Sequence, residues 1–212
     1  MRLVSIQVGE VRTHILPSGE TWTSGYVKSP VLGPVAVGST SISGDAQHNK
    51  KVHGGAHRAI LAYSAEHYER WQQELAVALP YGSFGENFTI SGLDEDSVCL
   101  GDIYAVGDTV RVQVSQPRKP CNQIYLHLQI EGIQQRVDET LRTGWYMRVL
   151  QTGEVVAGMT VTLVDRPHPE WPIMRVHQAY DHRRTDPATA LALAEVEALE
   201  PGWRQRLMKS TS

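Results

Sequence analysis

The segment 117–121 carries the strongest chemical signal in the sequence, because Cys121 directly follows Pro-Arg-Lys-Pro. Arginine and lysine side chains near a thiol stabilise its thiolate, which is the form that binds metals and acts as a nucleophile. The two prolines restrict the backbone and would fix the direction of the sulfur. Most free cysteines are buried and inert, and this is the better interpretation of Cys99, which stands between two apolar residues. Cys121 is therefore the candidate metal ligand or nucleophile, with Arg118 as a neighbouring cation.

A second candidate element is His53-Gly54-Gly55, which is followed by His57 and Arg58. The two glycines let backbone N–H groups approach a ligand closely and form a concave anion-binding site. Together with His53 and Arg58 they predict a phosphate or pyrophosphate site, and a plain tight turn is the alternative. The two histidines also have the spacing of a helical zinc pair. Two glycines between them argue against a helix, so we expect no zinc.

Two further glycine-containing elements carry side chains suited to ligand binding. Gly85-Glu86-Asn87 offers a carboxylate and a carboxamide that could orient a polar ligand, and a turn capped by the asparagine is the alternative. Further along, Trp145 and Arg148 could hold a flat, charged ligand by stacking and by paired hydrogen bonds. The alternative there is a core tryptophan beside a surface arginine.

Composition and charge exclude several classes of function. The 212 residues are 41% hydrophobic and 20% charged, which is typical of a folded globular protein. A net charge of -3 does not favour binding to nucleic acid. No apolar run approaches the roughly 20 residues that span a bilayer, and the first ten residues alternate, unlike a signal peptide. With only two cysteines, we expect a reducing, cytoplasmic environment, with no membrane or nucleic acid as partner.

Short apolar runs separated by glycines predict a mainly β fold that positions these elements. Val110, Val112 and Val114 alternate with polar residues and predict a strand directly before the proline-framed cysteine. Other strands are predicted at residues 4–8, 60–63, 145–150 and 160–164. Many short strands with glycine-rich turns indicate an antiparallel barrel or sandwich.

Helical periodicity appears in two places. Inside the β region, a helix is predicted between Ser64 as N-cap and Gly82 as stop. Its apolar face comprises Tyr68, Trp71, Leu75 and Leu79. Further on, a proline-rich linker precedes three short helices, and the second begins at Asp186 as N-cap. We therefore predict a β domain over residues 1–165 and a small three-helix domain over residues 166–212.

The order and spacing of these elements resemble the MOSC domain family, and most closely its YiiM-like branch. The matching elements are His-Gly-Gly at 53–55, Arg-Ala at 58–59, Gly-Glu-Asn at 85–87, Leu-Gly-Asp at 100–102, Pro-Arg-Lys-Pro-Cys at 117–121 and Gly-Trp-Tyr-Met-Arg-Val at 144–149. The tail is similar to the three-helix domain that follows MOSC in this branch, with Glu-Trp-Pro at 170–172 and Trp-Arg at 203–204. The resemblance covers nearly the whole chain, and the element ending at Cys121 is its most specific part.

This resemblance implies a MOSC-type β-barrel with one or a few inserted helices that binds molybdopterin. Molybdenum would be bound by the cofactor's dithiolene and by Cys121, whose thiolate is a soft ligand suited to such a metal. The implied cofactor-binding residues are His53, Gly54, Gly55, Arg58, Glu86, Asn87, Arg118, Trp145 and Arg148. Neither a flavin nor pyridoxal phosphate is expected as a resident cofactor.

The implied function is a molybdenum-dependent oxidoreductase that reduces N-hydroxylated compounds such as 6-hydroxylaminopurine, a mutagenic base analogue. Because the reducing electrons must come from outside, the expected partner is a separate flavin-dependent reductase. A homodimer is an open alternative to a monomer. Two other hypotheses about function also stay open. A non-catalytic carrier of molybdopterin or sulfur would use the same cysteine, and a metal-free transferase or hydrolase would pair Cys121 with His53.

Overall fold

The computed structural model describes residues 1–46 and 54–210. Within them, the strands are β1 Arg2–Val8, β2 Arg12–Ile15, β3 Thr21–Ser24, β4 Ser29–Pro30, β5 Val35–Val37, β6 Ile60–Ser64, β7 Phe88–Ser91, β8 Ile103–Val106, β9 Val110–Pro117, β10 Trp145–Gln151, β11 Gly153–Val155 and β12 Val161–Asp165. The α-helices are α1 Glu66–Leu75, α2 Gln123–Leu128, α3 Ile133–Thr140, α4 Ile173–Asp181, α5 Pro187–Ala194 and α6 Pro201–Ser210. A single 3-10 turn, Ala56–Arg58, precedes β6. None of the helices in this part of the chain has the length and apolar character needed to cross a membrane.

One large mixed sheet dominates the structure. Its eight strands follow the order β12-β8-β9-β10-β6-β7-β1-β4. The pair β6 and β7 is parallel, and the other neighbours in this sheet are antiparallel. Two small antiparallel pairs, β5 with β11 and β2 with β3, complete the strands of the described residues.

The predicted closed barrel is not detected. The chain around β1 meets the start of β12 through one isolated bridge, Arg2 with Thr160. Three backbone hydrogen bonds accompany it: Leu3 N to Met159 O at 2.9 Å, Gly158 N to Leu3 O at 2.7 Å and Val161 N to Met1 O at 3.1 Å. A turn at residues 157–158 immediately precedes this contact, so no continuous ladder forms there. The fold is therefore a mixed, sheet-dominated fold with several helices.

The alternation of apolar residues predicts β9 better than β1. In β9, Val110, Val112 and Val114 are fully buried, as the pattern predicted. In β1, a register shift between Leu3 and Ser5 changes the alternation, so that Leu3 and Ile6 are the fully buried apolar side chains. A β-bulge has this effect because one extra residue reverses the faces of those that follow.

The inserted helices differ in extent and number from the prediction. Ser64 is the last residue of β6, and α1 ends at Leu75, well before Gly82, because the C-cap Ala76 has a left-handed φ of 54°. Two further helices, α2 and α3, lie between β9 and β10. The described chain thus holds six α-helices, of which three precede residue 165.

The three tail helices α4 to α6 have their own apolar cluster. As predicted, the Asp186 side chain caps α5 by accepting a hydrogen bond from Thr189 N at 3.1 Å. Trp171, Leu193 and Trp203 are among the buried side chains of this cluster, and Leu100 from the β region packs with them. The division into two domains at residue 165 stays a prediction.

Candidate functional site

A cavity of about 260 Å³ lies at the end of β9 where the chain turns toward α2. Its wall is formed by side chains that come from widely separated parts of the sequence. They include Tyr26, Lys28, Asp45, Arg58, Asn87, Arg118, Cys121, Gln123 and Tyr146. Four of the predicted site residues are therefore brought together: Arg58, Asn87, Arg118 and Cys121.

The position of Cys121 is determined by the end of β9 and the beginning of α2. Pro117 ends β9 opposite Trp145 of β10. The next residue is fixed by a hydrogen bond from Arg118 N to Gly144 O at 3.1 Å. The Cys121 carbonyl then accepts a hydrogen bond from Ile124 N at 3.2 Å, at the start of α2. The thiol is thus partly exposed, at the cavity wall, on a segment held at both ends.

Arg118 is the buried cation of the cavity. Its side chain is 3% exposed, and Nη2 donates a hydrogen bond to the Tyr26 hydroxyl at 3.1 Å. Burial works against the charge, but the neighbouring Tyr26 and Cys121 groups raise the pKa of Arg118 above its usual value. Its Nη1 is buried and has no hydrogen-bond partner among the described residues. A buried guanidinium with an unpaired N–H group favours an acceptor supplied by a ligand.

Two tyrosines place neutral hydroxyl groups in the same cavity. Burial raises the pKa of both Tyr26 and Tyr146, while the nearby Arg118 acts in the opposite direction. Both phenols therefore stay protonated near neutral pH.

Lys28 and Asp45 form a buried ion pair on the cavity wall. Their side chains are 7% and 2% exposed, and Asp45 also accepts a hydrogen bond from Gly9 N at 2.9 Å. A buried charge pair of this kind is costly unless its hydrogen bonds are satisfied. It adds a fixed dipole to the cavity.

Lys119 also lines the cavity, but acidic side chains outside the cavity hold its ammonium group. Its ammonium group is 2.6 and 2.8 Å from the two carboxylate oxygens of Asp181 on α4, and 3.6 Å from Asp138. The lysine therefore ties the cysteine segment to the tail helices. Arg118 is the cation of this segment that is buried in the cavity wall.

The Gly-Glu-Asn element is mainly occupied with internal hydrogen bonds. Glu86 is fully buried, does not line the cavity, and accepts hydrogen bonds from Tyr68, from Gly82 N at 2.7 Å and from Thr89 at 2.9 Å. Asn87 lines the cavity, but its Oδ1 accepts a hydrogen bond from Leu61 N at 3.1 Å. These contacts join the turn after α1 to the strands beside it.

The remaining predicted residues lie elsewhere. Trp145 is fully buried in the core, and Arg148 donates hydrogen bonds to Gln113 Oε1 at 3.2 Å and to the carbonyl of Ala198 in the tail. Gly54 and Gly55 precede the 3-10 turn and are absent from the cavity wall. His53 lies outside the described residues. We therefore leave Trp145 and Arg148 out of the proposed cofactor site.

Sequence reasoning missed Tyr26, Lys28 and Tyr146 as cavity residues. A signal for Tyr146 was present, because β10 alternates and Trp145 and Met147 are buried in the core. Tyr146 must then point to the opposite face. Neither Tyr26 nor Lys28 belongs to a motif. Both reach the cavity because the fold brings together residues that are far apart in the sequence.

Comparisons with known proteins agree on one family. Residues 49–162 match the family model for the MOSC domain. A protein of Gibberella moniliformis named "Reductase" is 35% identical over 83% of this chain, which spans 31% of that protein's length. Protein YiiM of Escherichia coli is 37% identical over 77% of this chain and 72% of its own length. The crystal structure of YiiM from Geobacillus stearothermophilus matches this chain with a TM-score of 0.84 and 36% sequence identity. The match covers 100% of this chain and 99% of the YiiM chain.

Proposed function

This chain belongs to the MOSC domain family, in its YiiM-like branch, and we propose that it is a molybdenum-cofactor-dependent oxidoreductase that reduces N-hydroxylated compounds such as 6-hydroxylaminopurine. The observation that carries the proposal is the placement of Cys121 and the buried Arg118 in one polar cavity. The printed name of the Gibberella relative supports the general class of activity. A cytoplasmic location and a separate flavin-dependent reductase as electron donor are parts of the same proposal.

The side chains of the cavity fit the proposed cofactor in kind. Cys121 offers one soft sulfur ligand, and a dithiolene brings two more sulfur atoms of its own. Arg118 offers an unpaired buried N–H group, and Arg58, whose Nε donates a hydrogen bond to Gln116 Oε1 at 3.4 Å, adds a second positive charge. Guanidinium groups suit both the phosphate and the polar ring edge of a pterin.

When bound, the molybdenum cofactor would supply the two electrons that reduce an N–OH group. The chain's own part is to hold and orient the reactants. Arg118 would keep a negative or polar ligand beside Cys121, and the Lys28–Asp45 pair would favour one orientation of a polar substrate. The buried side chains of the wall, among them Leu61, Asn87 and Arg118, would limit the access of bulk water, which strengthens each of these contacts.

Elemental analysis of protein made in a molybdopterin-competent host tests the proposal. We expect about one molybdenum per chain, lost in Cys121→Ala and retained in the matched control Cys99→Ala. Loaded wild-type protein with a chemical reductant should convert 6-hydroxylaminopurine to adenine. Molybdenum retained in Cys121→Ala would contradict the ligand assignment. Cofactor binding without turnover would favour the carrier hypothesis, and activity of metal-free protein on an acyl or phosphoryl substrate would favour the transferase or hydrolase hypothesis.

A further inference from the structure

Tyr26 presents a free proton to the cavity. Its hydroxyl accepts the hydrogen bond from Arg118 Nη2 at 3.1 Å. A tyrosine hydroxyl also has one proton to donate, and among the described residues the Tyr26 hydroxyl donates no hydrogen bond. Because Tyr26 lines the cavity, a molecule inside it is the natural acceptor.

The ring of Tyr26 is held in place by close packing. Gly85 has a φ of 76°, and a Cβ there would lie 2.6 Å from Cε2 of Tyr26. Only glycine allows this approach, which gives a physical reason for the glycine of the Gly-Glu-Asn element. On other sides the ring contacts His127, with centroids 5.9 Å apart, and Trp22, at 6.4 Å. The hydroxyl is therefore pre-oriented.

The charges around Tyr26 suit a proton donor. Burial raises its pKa, so that the phenol keeps its proton until a strong base appears beside it. Arg118 faces the hydroxyl and would stabilise the phenolate after transfer. Cys121 and Glu86 act in the opposite direction, and His127 packs against the ring. Arg118 thus favours loss of the proton when the substrate reacts. Burial and the nearby Cys121 and Glu86 groups favour retention of the proton before that.

We propose that Tyr26 is the proton donor of this site, which hydrogen-bonds the oxygen of a substrate N–OH group and protonates that oxygen as the N–O bond breaks. This inference rests on the proposed function. In the balanced reaction, R–NHOH takes up two electrons and two protons and gives R–NH₂ and water. The two electrons would be supplied by the bound molybdenum cofactor, and a flavin-dependent reductase would be their source. Tyr26 gives one proton to the leaving oxygen, water gives the other to the nitrogen, and solvent reprotonates the phenolate.

The first test compares Tyr26→Phe with Tyr125→Phe in cofactor-loaded protein. Tyr125 is 40% exposed on α2 and does not line the cavity, so its variant is a matched control. We expect Tyr26→Phe to keep its molybdenum content and to lower kcat for 6-hydroxylaminopurine about 100-fold, as loss of a general acid does. KM should rise by no more than about tenfold, because the ground-state hydrogen bond to Tyr26 accounts for only the smaller part of the loss. Tyr125→Phe should match wild type in all three quantities.

A second test measures binding without turnover. Oxidised, loaded protein in the absence of reductant is titrated with 6-hydroxylaminopurine and with adenine, which lacks the hydroxyl. Wild type should bind the hydroxylated base about three- to tenfold more tightly through the Tyr26 hydrogen bond. This preference should disappear in Tyr26→Phe and persist in Tyr125→Phe.

Each outcome bears on a different claim. A Tyr26→Phe variant with kcat within about twofold of wild type would overturn the role of Tyr26 and leave the proposed function intact. Loss of molybdenum from Tyr26→Phe would make Tyr26 a cofactor-binding residue and would also overturn its role as proton donor. Loaded wild-type protein that does not turn over any N-hydroxylated base would refute the proposed function and the role of Tyr26 with it.

Discussion

The two cysteines of the chain lie in opposite surroundings, although α4 runs close to both. Cys99 is 3% exposed, next to the residue that precedes α4, and its backbone N–H donates to Asp102 Oδ2 at 2.9 Å. Burial and then the Asp102 carboxylate raise the pKa of its thiol. Cys121 is partly exposed at a cavity wall that it shares with Arg118. The charge that acts most strongly on the Cys99 thiol is therefore a carboxylate, whereas Cys121 shares its cavity with a guanidinium.

The two sites differ as much in the completeness of their hydrogen bonds as in charge. Beside Cys99, Asp102 accepts hydrogen bonds from Tyr104 at 2.9 Å and from Arg166 at 2.9 and 2.7 Å. Beside Cys121, Nη1 of Arg118 is without a partner among the described residues. A complete network stabilises the fold by itself, whereas an incomplete one is completed by a ligand.

Alkylation of the folded protein should show the largest difference between the two thiols. Iodoacetamide reacts with an accessible thiolate, so we expect Cys121 to react at least about 1,000-fold faster than Cys99, whose exposure requires an opening that costs at least roughly 4 kcal/mol. Peptide mapping by mass spectrometry after timed quenching measures both rates. In denaturing urea the two rates should become similar. Equal rates in the folded protein would contradict the comparison.

Removing the arginine from each site should have different consequences. In Arg118→Met, the cavity loses the group that binds Tyr26, and we expect molybdenum content to fall at least about tenfold. In Arg166→Met, the buried Asp102 loses its ion-pair partner, and we expect unfolding free energy to fall by about 2–3 kcal/mol, since Arg166 is 33% exposed and partly screened. Elemental analysis and urea denaturation measure the two effects. The reverse pattern would show that Arg118 is structural and Arg166 functional.

His177 should make the folded protein less stable at acid pH. This fully buried side chain of α4 hydrogen-bonds to Thr143 at 2.8 Å, one residue before the carbonyl that fixes Arg118. Burial, followed by the charge of Lys119, lowers its pKa to about 3. A histidine with a lowered folded pKa stabilises the protein fully above its unfolded pKa of about 6.5, and this contribution is lost as the pH falls toward the folded value. The titration of His177 alone should therefore lower the unfolding free energy by about 2 kcal/mol between pH 7 and pH 5.

Urea denaturation at each pH measures that slope. His177→Gln, which cannot gain a charge, should flatten it, and the exposed His182→Gln should leave it unchanged. An identical slope in wild type and His177→Gln would mean that other groups cause the acid sensitivity.

The sequence predicts those parts of the molecule in which neighbours along the chain are also neighbours in space. The β9 strand, the cap at Asp186 and the placement of Cys121 directly after a strand follow from local patterns. Tyr26 does not, because its bond to Arg118 joins residues 92 positions apart. The motif predicts Trp145 rather than Tyr146 as a site residue, whereas strand alternation places their side chains on opposite faces of the sheet. The strand pattern left a barrel and a sandwich open, and the family resemblance implied the barrel; the contacts at residues 157–160 decide whether the sheet closes.

The smallest effect should come from the ion pair that joins the Cys121 segment to the end of α4. Lys119 and Asp181 are 33% and 40% exposed, so Asp181→Asn should cost only about 0.5 kcal/mol of unfolding free energy, as exposed pairs generally do. Its effect on Cys121 should nevertheless be measurable. The released lysine can turn toward the thiol on the same segment, and a second nearby cation should raise the alkylation rate of Cys121 about two- to threefold. Cys99, at the other end of α4, should keep its rate. A change at both cysteines would mean that the variant loosens the whole helix, and the two regions would then be coupled more tightly than their contacts indicate.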